Sequence, residues 1–188
     1  MVFSFILWKT QVQGLETTRL LLREICLGDA EFILQLTNEP GWLRFIGDKN
    51  IASLEDAKTY IKESIIASYQ KNGFGIWLVE LRDLDGAQAL PIGTCGLINR
   101  PTLKGVDLGF AFLASISGHG YAFEAARAVI DYVKKTNELT RLLAITLPDN
   151  ERSINLLSKL GFKNKGTIEL PIADGTGKET LLIFDQSL

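Results

Sequence analysis

The sequence predicts a mixed α/β fold in which helices pack on the faces of one sheet. Strand-like and helical hydrophobic patterns follow one another in the order β, α, α, β, β, β, α, β, α, β, β. Within this order, a helix joins the strand predicted at 106–113 to the strand predicted at 141–147. Such a connection is a right-handed crossover between parallel strands, so we expect at least one parallel pair in the sheet.

One strand and two helices are predicted first. Residues 18–25 (TRLLLREI) read as a strand, and 28–37 as a short helix with its apolar residues on one face. Ser53, followed by Asp56, resembles a capping box, and apolar residues recur behind it at helical spacing. We therefore expect a second helix over 53–71.

Three strands and a long helix follow. Strand-like runs at 75–82, 92–98 and 106–113 are separated by Gly, Pro, Asp and Asn clusters that are typical of turns. From 120 to 135 the apolar positions mark an amphipathic helix that ends with two lysines. The nearly continuous apolar run at 141–147 predicts a strand that is covered on both faces.

The last part of the chain predicts a capped helix and two strands. Residues 149–150 (DN) can cap a helix over 151–160, and Gly161 can end it in the left-handed conformation. Strands at about 162–170 and 179–185 flank a glycine-rich turn.

Length and composition indicate a single folded domain over residues 1–188. The chain is 46% hydrophobic and 22% charged, which excludes a disordered or low-complexity protein. A chain of this length buries about 70% of its extended surface, enough for a core that needs no disulfide or metal. The net charge of −2, without a basic run, argues against a nucleic-acid partner.

The first residues and the cysteines bear on location and assembly. Residues 1–15 begin with an apolar stretch of eight residues, too short for a membrane span of about twenty. We expect this extension to pack on the domain or to take part in self-association, so a homodimer is possible. Cys26 and Cys95 predict two buried thiols in a reducing cytoplasm, with neither a disulfide nor a metal cluster.

The segment from Ser115 to Ala125 carries the strongest chemical signal. It contains Gly118 and Gly120 where a predicted strand ends and a long helix begins. A helix start offers unpaired N–H groups and a positive dipole end, and glycines let a phosphate approach the backbone closely. The segment therefore predicts an anion site. Phe123 stands where a dinucleotide fingerprint has Gly or Ala, and no P-loop motif is present, so NAD and ATP are disfavoured.

Four segments in order resemble the acetyl-CoA-binding half of GNAT acetyltransferases, most closely the branch that includes the ribosomal-protein N-terminal acetyltransferases. They are Val106–Leu113, Gly118–Ala125, Pro148–Ser153 and Leu157–Phe162. Thr18–Arg23 and Trp42–Gly47 resemble the first strand and the acceptor-side region of the same branch. The resemblance implies a mostly antiparallel, twisted sheet whose central parallel strands splay apart, with helices on both faces.

The resemblance also implies where the co-substrate acetyl-CoA binds. Its pantetheine arm would lie between the splayed strands and bond to the backbone of Phe112 and Leu113, with Asn150 and Ser153 facing it from the next helix. Its diphosphate would bind the amides of Ser117, Gly118, His119, Gly120, Tyr121 and Ala122. Ser115 stands where the family has Gln or Arg; because amides bind the anion, we expect weakened rather than absent binding.

Transfer to an amine needs an unprotonated nucleophile, a stabilised oxyanion and a proton for the leaving thiolate, but no covalent intermediate. Many relatives have a tyrosine acid where this chain has Leu157. The resemblance points to Ser153 for that role, with a structural serine at the helix start as the alternative. Asp107 could accept the amine's proton, directly or through water, and a half-exposed, solvated strand carboxylate is the alternative.

Several other residues have structural interpretations. Glu124 is expected to cap or pair within its own helix, and His119, the single histidine in the sequence, to lie on the surface. Trp77, Trp42 and Phe45 are expected in the core, although the latter two could line an amine pocket.

The sequence as a whole predicts a metal-independent N-acetyltransferase that transfers the acetyl group of acetyl-CoA to a primary amine. The acceptor is a protein N-terminus or a small molecule, and the sequence leaves both open. The departures at Leu157 and Ser115 keep one alternative, a catalytically weak acyl-CoA-binding or sensing module.

Overall fold

The computed structural model describes residues 14–82, 89–136, 138–172 and 177–188, and in these residues eight strands form one sheet. Its order is β1-β2-β3-β4-β5-β6-β8-β7. Neighbouring strands are antiparallel except β5 and β6, which are parallel, so the predicted mixed sheet is confirmed. The strands are β1 (Leu15–Glu16), β2 (Leu20–Glu24), β3 (Ile76–Leu81), β4 (Leu90–Ile98), β5 (Asp107–Phe112), β6 (Arg141–Thr146), β7 (Lys163–Pro171) and β8 (Lys178–Ser187).

Six α-helices occur in the same residues. They are α1 (Ala30–Thr37), α2 (Pro40–Phe45), α3 (Leu54–Tyr60), α4 (Ala67–Asn72), α5 (Tyr121–Thr136) and α6 (Glu151–Leu160). A π-helical segment, Ile61–Ile66, joins α3 to α4, so the helix predicted over 53–71 contains a wider turn that its periodicity did not reveal. The N–H of Asp56 donates to the Ser53 hydroxyl at 3.2 Å, which confirms the predicted cap. Helix α2 was not predicted, although Pro40 at its first position is a start signal.

Helices cover both faces of the sheet, as predicted. Helices α5 and α6 pack on one face around Leu22, Val79 and Leu108, whereas α1, α3 and the π-helical segment pack on the other face around Leu78. Trp77, 3% exposed, meets the ring of Tyr132 on α5 edge-on, with 5.6 Å between ring centroids. The prediction that Trp77 lies in the core is confirmed.

Strand β6 is covered on both sides. Leu142 and Ala144 belong to the core beneath α5 and α6, whereas Leu143 packs with Leu170 and Leu181 of the β7–β8 hairpin on the other face. This burial on both faces explains the nearly continuous apolar run in its sequence.

Strands β5 and β6 touch only where they begin. Asp107 lies opposite Leu143, whose N–H donates to the carbonyl of Val106 at 3.0 Å. No further pair joins the two strands, whereas β5 stays paired with β4 as far as Phe112 and β6 stays paired with β8. The strands therefore part toward their carboxyl ends, and the gap opens toward the starts of α5 and α6.

Two predictions about the rest of the chain have different outcomes. Cys95 is fully buried, as predicted, but Cys26 is exposed, because it lies at the surface turn after β2, where its N–H donates to Asp29. The predicted apolar extension lies mostly outside the described residues, and only its last part enters β1. None of the described helices combines the length and apolar character that crossing a membrane requires.

Candidate active site

The gap between β5 and β6 exposes backbone groups that have no strand partner among the described residues. The N–H of Leu113 donates to Ile92 on β4 at 3.0 Å, and the carbonyl of Val106 accepts a bond from β6. Because the backbone groups of successive residues in a strand point in opposite directions, those of Phe110 and Phe112 face the gap. The N–H and C=O groups of Phe110 and Phe112 thus lie along one wall of the gap.

The backbone of Leu113 is not free in the same way. Its N–H is donated to Ile92, and its carbonyl accepts the N–H of Ile116 at 3.3 Å. The expectation that Leu113 offers a free donor and acceptor is not met. Its N–H points toward β4, and its carbonyl is bonded to the turn that follows β5. Phe110, two residues before Phe112, turns its backbone groups toward the gap in place of Leu113.

The loop after β5 adopts the conformation that an anion site needs. Gly118 and Gly120 have φ angles of +88° and +81°, in the left-handed region that favours glycine. Helix α5 begins at Tyr121, and the N–H of Glu124 makes the first helical bond, to the carbonyl of Gly120 at 3.1 Å. The N–H groups of residues 121–123 come before that bond and have no partner within the helix. Backbone donors and the positive end of the helix dipole therefore converge here.

His119 is exposed at the tip of this loop, as predicted. Its ring stacks on Tyr121, with 5.6 Å between centroids and 9° between planes. Nδ1 lies 3.2 Å from the carbonyl oxygens of both Ile116 and Ser117. The ring contributes to the shape of the loop.

Helix α6 begins on the opposite side of the gap, after β6. The side-chain oxygen of Asn150 accepts the N–H of Ser153 at 3.2 Å, which confirms the predicted cap. Both residues are half-buried. Leu157, one turn further along, is 1% exposed and packs in the core, so α6 offers an aliphatic group at that position.

Asp107 lies at the point where β5 and β6 separate. Its side chain is 1% exposed, and Arg100 donates from Nε to its Oδ2 at 3.0 Å. Its Oδ1 is buried and has no hydrogen-bond partner among the described residues. Burial raises the pKa of Asp107, and the nearby Arg100 charge only partly opposes this. The expectation of a half-exposed carboxylate is wrong, because this strand position lies inside the domain.

Two more polar groups, Lys49 and Tyr60, lie near Arg100. No sequence motif indicated that these three residues meet. Partial desolvation, followed by the Arg100 charge, lowers the pKa of Lys49, although this residue is exposed. Burial raises the pKa of Tyr60, against the effect of Arg100. Tyr60 ends α3, directly before the π-helical segment. The β4–β5 turn brings Arg100 beside Asp107, because Ile98 and Asp107 are paired across it.

Helix α2 contacts the segments that follow both walls of the gap. The Glu39 carboxylate accepts the N–H of Ala114, after β5, at 3.4 Å, and Arg44 pairs with Asp149, before α6, at 2.7 Å. Trp42 and Phe45 are half-buried, so neither belongs to the fully buried core that was expected. The indole N–H of Trp42 is buried without a partner in the described part of the chain.

Glu124 pairs outside its own helix, contrary to expectation. Arg19, just before β2, forms an ion pair with it at 2.6 Å, and Thr17 donates its hydroxyl to it at 2.6 Å. These bonds hold the pKa of Glu124 below its ordinary value, although burial alone would raise it. The partners are more than a hundred residues apart, and no local pattern indicates them.

The comparison with known proteins decides the family. A family model described as an acetyltransferase (GNAT) domain matches residues 19–163. The chain belongs to the GNAT family of acetyltransferases. The uncharacterized N-acetyltransferase YoaA of Bacillus subtilis is 32% identical over 155 residues, 82% of this chain and 85% of that protein. This GNAT member is therefore an N-acetyltransferase, as its sequence predicts.

Two further similar proteins are acetyltransferases of ribosomal proteins. The ribosomal protein uS5-alanine N-acetyltransferase of Escherichia coli is 29% identical over 102 residues, 54% of this chain and 52% of that enzyme. The ribosomal L7/L12 alpha-N-protein acetyltransferase RimL, solved with coenzyme A, has the same fold. Its TM-score is 0.78 at 15% identity, over 94% of this chain and 98% of that structure. The described residues contain no group of three or more residues able to hold a metal ion.

Proposed function

We propose that this enzyme binds acetyl-CoA along the gap between β5 and β6 and transfers the acetyl group directly to the α-amine of a protein or peptide. One observation carries the proposal: the two strands part after Asp107 and Leu143, and each then leads to a helix start. The gap combines unpaired strand backbone for the amides of a pantetheine arm with helix donors for a diphosphate.

In this proposal the backbone of residues 117–122 binds the diphosphate. The left-handed glycines leave the N–H groups of the loop uncovered, and the helix dipole favours the negative charge. Phe110 and Phe112 bind the pantetheine amides from β5, and Asn150 and Ser153 face the arm from α6. The similar fold of RimL, solved with coenzyme A, supports this arrangement.

Asp107 takes the acceptor's proton in the proposed reaction. The amine nitrogen attacks the thioester carbon, and the oxygen of the tetrahedral intermediate is stabilised by strand N–H groups. Oδ1 of Asp107 accepts the proton that the nitrogen loses, since this oxygen is buried and unpartnered in the described chain. The C–S bond then breaks, and the Ser153 hydroxyl gives a proton to the leaving thiolate and regains one from solvent.

A protein or peptide acceptor fits the surface beside α2. Leu43 on α2, Ile46 directly after α2 and Leu54 at the start of α3 are each more than 40% exposed. A peptide can cover such apolar side chains, whereas a small polar amine gains nothing from them. The relative that acts on the alanine of ribosomal protein uS5 supports the same acceptor class.

The test is release of coenzyme A thiol from acetyl-CoA with a panel of peptide N-termini and small amines. We expect peptide-dependent thiol release, an acetylated α-amine by mass spectrometry, and weaker activity with small amines. Saturating coenzyme A, at a hundred times its Kd, should add about 2.7 kcal/mol to the free energy of unfolding. Binding without any acceptor-dependent turnover would favour a sensing module, and stabilisation by NAD or ATP alone would contradict the donor site.

We also infer a cytoplasmic location, where acetyl-CoA and nascent protein N-termini meet and where an exposed thiol such as Cys26 stays reduced. A single domain over 1–188 and a homodimer remain predictions. Sedimentation of the full chain at several concentrations tests the second.

A further inference from the structure

The short β1–β2 connection is bonded to the start of α5 through one carboxylate. Oε1 of Glu124 accepts the Thr17 hydroxyl at 2.6 Å and the Arg19 N–H at 3.0 Å. Its Oε2 accepts Nε of Arg19 at 2.7 Å and lies 2.6 Å from Nη2 of the same side chain. Both carboxylate oxygens are thus engaged by the connection, and the guanidinium is held by two of its nitrogens.

The remaining nitrogen of Arg19 reaches the donor loop itself. Nη1 donates to the carbonyl of His119 at 3.1 Å, and the guanidinium carbon lies 4.5 Å from the centre of the Tyr121 ring. In a trans peptide the C=O of one residue and the N–H of the next point in opposite directions. Because Arg19 binds the carbonyl of His119, the N–H of Gly120 must point away from Arg19.

The ion pair between Arg19 and Glu124 also neutralises a negative charge in the first turn of α5. Glu124 lies in the first turn of α5, where an uncompensated carboxylate would repel a diphosphate on the neighbouring amides. The positive charge of Arg19 neutralises the Glu124 carboxylate. The three guanidinium nitrogens of Arg19 bind this carboxylate and the carbonyl of His119. Arg19 therefore contacts the loop and its neighbouring carboxylate through all three guanidinium nitrogens.

We propose that Arg19 is a positioning residue for the donor: it orients the His119–Gly120 peptide and neutralises Glu124, so that the loop amides can bind the diphosphate of acetyl-CoA. This inference rests on the proposed donor site. In this inference Arg19 contacts the loop on the side opposite to the bound diphosphate.

The test compares Arg19→Met with wild type for coenzyme A binding by titration calorimetry. We expect Kd to rise about tenfold, because both the fixed N–H direction and the charge balance are lost. At saturating acetyl-CoA, kcat should change by less than about twofold, since the residue touches no reacting atom. Arg19→Lys should recover part of the affinity, because it restores the charge but not the two-sided hydrogen bonding.

A second acetyl donor, without a diphosphate, distinguishes a role of Arg19 in positioning the loop from a general loss of stability. S-acetylpantetheine carries the same thioester but no diphosphate, so kcat/KM for this donor should change by less than about twofold in Arg19→Met. Equal losses with both donors would contradict the proposal. In the double variant with Glu124→Gln, the effect of Arg19→Met on Kd should shrink, because the carboxylate charge is gone.

Arg82→Met is the matched control. Arg82 donates to the carbonyl of Thr17 at 2.8 Å and pairs with Glu16 at 3.2 Å, so it holds the same connection without contacting the donor loop. We expect its Kd for coenzyme A to stay within about twofold of wild type. A similar rise in both variants, or no rise in Arg19→Met, would overturn the inference. Absence of coenzyme A binding to the wild type would instead overturn the proposed function.

Discussion

Two buried carboxylates paired with arginines differ in how completely they are bonded. Asp29, joined with Glu80 to Arg23, has both oxygens occupied: Arg23 donates to each, and Cys26 N–H adds a third bond. Asp107 receives one bond from Arg100, and its other oxygen has no partner among the described residues. The side chains of Asp29 and Asp107 are 9% and 1% exposed, so burial alone does not distinguish them.

The pKa directions follow this difference in bonding. Burial tends to raise the pKa of both acids, but the bonds from Arg23 and Cys26 outweigh it and lower the pKa of Asp29. For Asp107 burial prevails over Arg100, and the pKa is raised. A fully bonded carboxylate stabilises the fold, whereas one with a free buried oxygen can accept a proton from a substrate. We therefore propose a structural role for the first site and a chemical role for the second.

The largest expected effect is on stability, at the fully bonded site. Arg23→Met leaves Asp29 and Glu80 buried without their shared cation, so the free energy of unfolding should fall by about 3–5 kcal/mol in urea titrations. Lys58→Met, which breaks an exposed pair with Glu55, should cost less than about 0.5 kcal/mol. Equal effects of the two substitutions would show that the bonded carboxylates at Arg23 stabilise the fold no more than an exposed ion pair does.

The next effect is on turnover, at the incompletely bonded site. Asp107→Asn keeps the shape but removes the proton acceptor, so kcat should fall about a hundredfold in steady-state thiol release. The free energy of unfolding should change by less than about 1 kcal/mol, because a carboxylate that is costly to bury becomes neutral. An unchanged kcat, with acetyl-CoA and peptide both saturating, would show that Asp107 is structural.

The two sites should also respond to pH in different ranges, Asp29 below and Asp107 above the range of an ordinary aspartate. Asp29 has a depressed pKa, so its stabilisation is present above its unfolded-state pKa and is lost as pH falls through the folded value. Asp107 has a raised pKa, so kcat/KM should rise with pH through a midpoint above that of an ordinary aspartate. Arg100→Gln should move this midpoint to higher pH, because Arg100 favours the charged carboxylate. A midpoint that stays in place would indicate that another group controls the rate.

The smallest expected effect tests the acid on the other wall of the gap. Ser153→Ala should lower kcat about tenfold, since water can replace a weak hydroxyl acid. The cap of α6 survives, because Asn150 accepts the backbone N–H of residue 153. Ser158→Ala on the same helix removes only a bond to the carbonyl of Ile154, so its kcat should match wild type. A kcat in Ser153→Ala equal to that of the control would leave Ser153 a structural role.

The features predicted correctly from the sequence are mostly local. The caps at Ser53 and Asn150 and the left-handed Gly161 involve residues within three or four positions of one another. The left-handed Gly118 and Gly120 before the start of α5 belong to the same class, whereas the binding of an anion there stays a prediction. The parallel crossover also followed from element order, since chain handedness restricts how a helix can connect two strands.

Tertiary structure decided which of these groups have partners. Glu124 bonds to Arg19 across 105 positions, and the pairing of β4 with β5 sets both the direction of the Leu113 backbone and the meeting of Arg100 with Asp107. The exposure of Cys26 and the burial of Asp107 likewise depend on what packs over them. Strand register and helix docking minimise the free energy of the whole domain, so the partner of a side chain cannot be read from its neighbours in the chain.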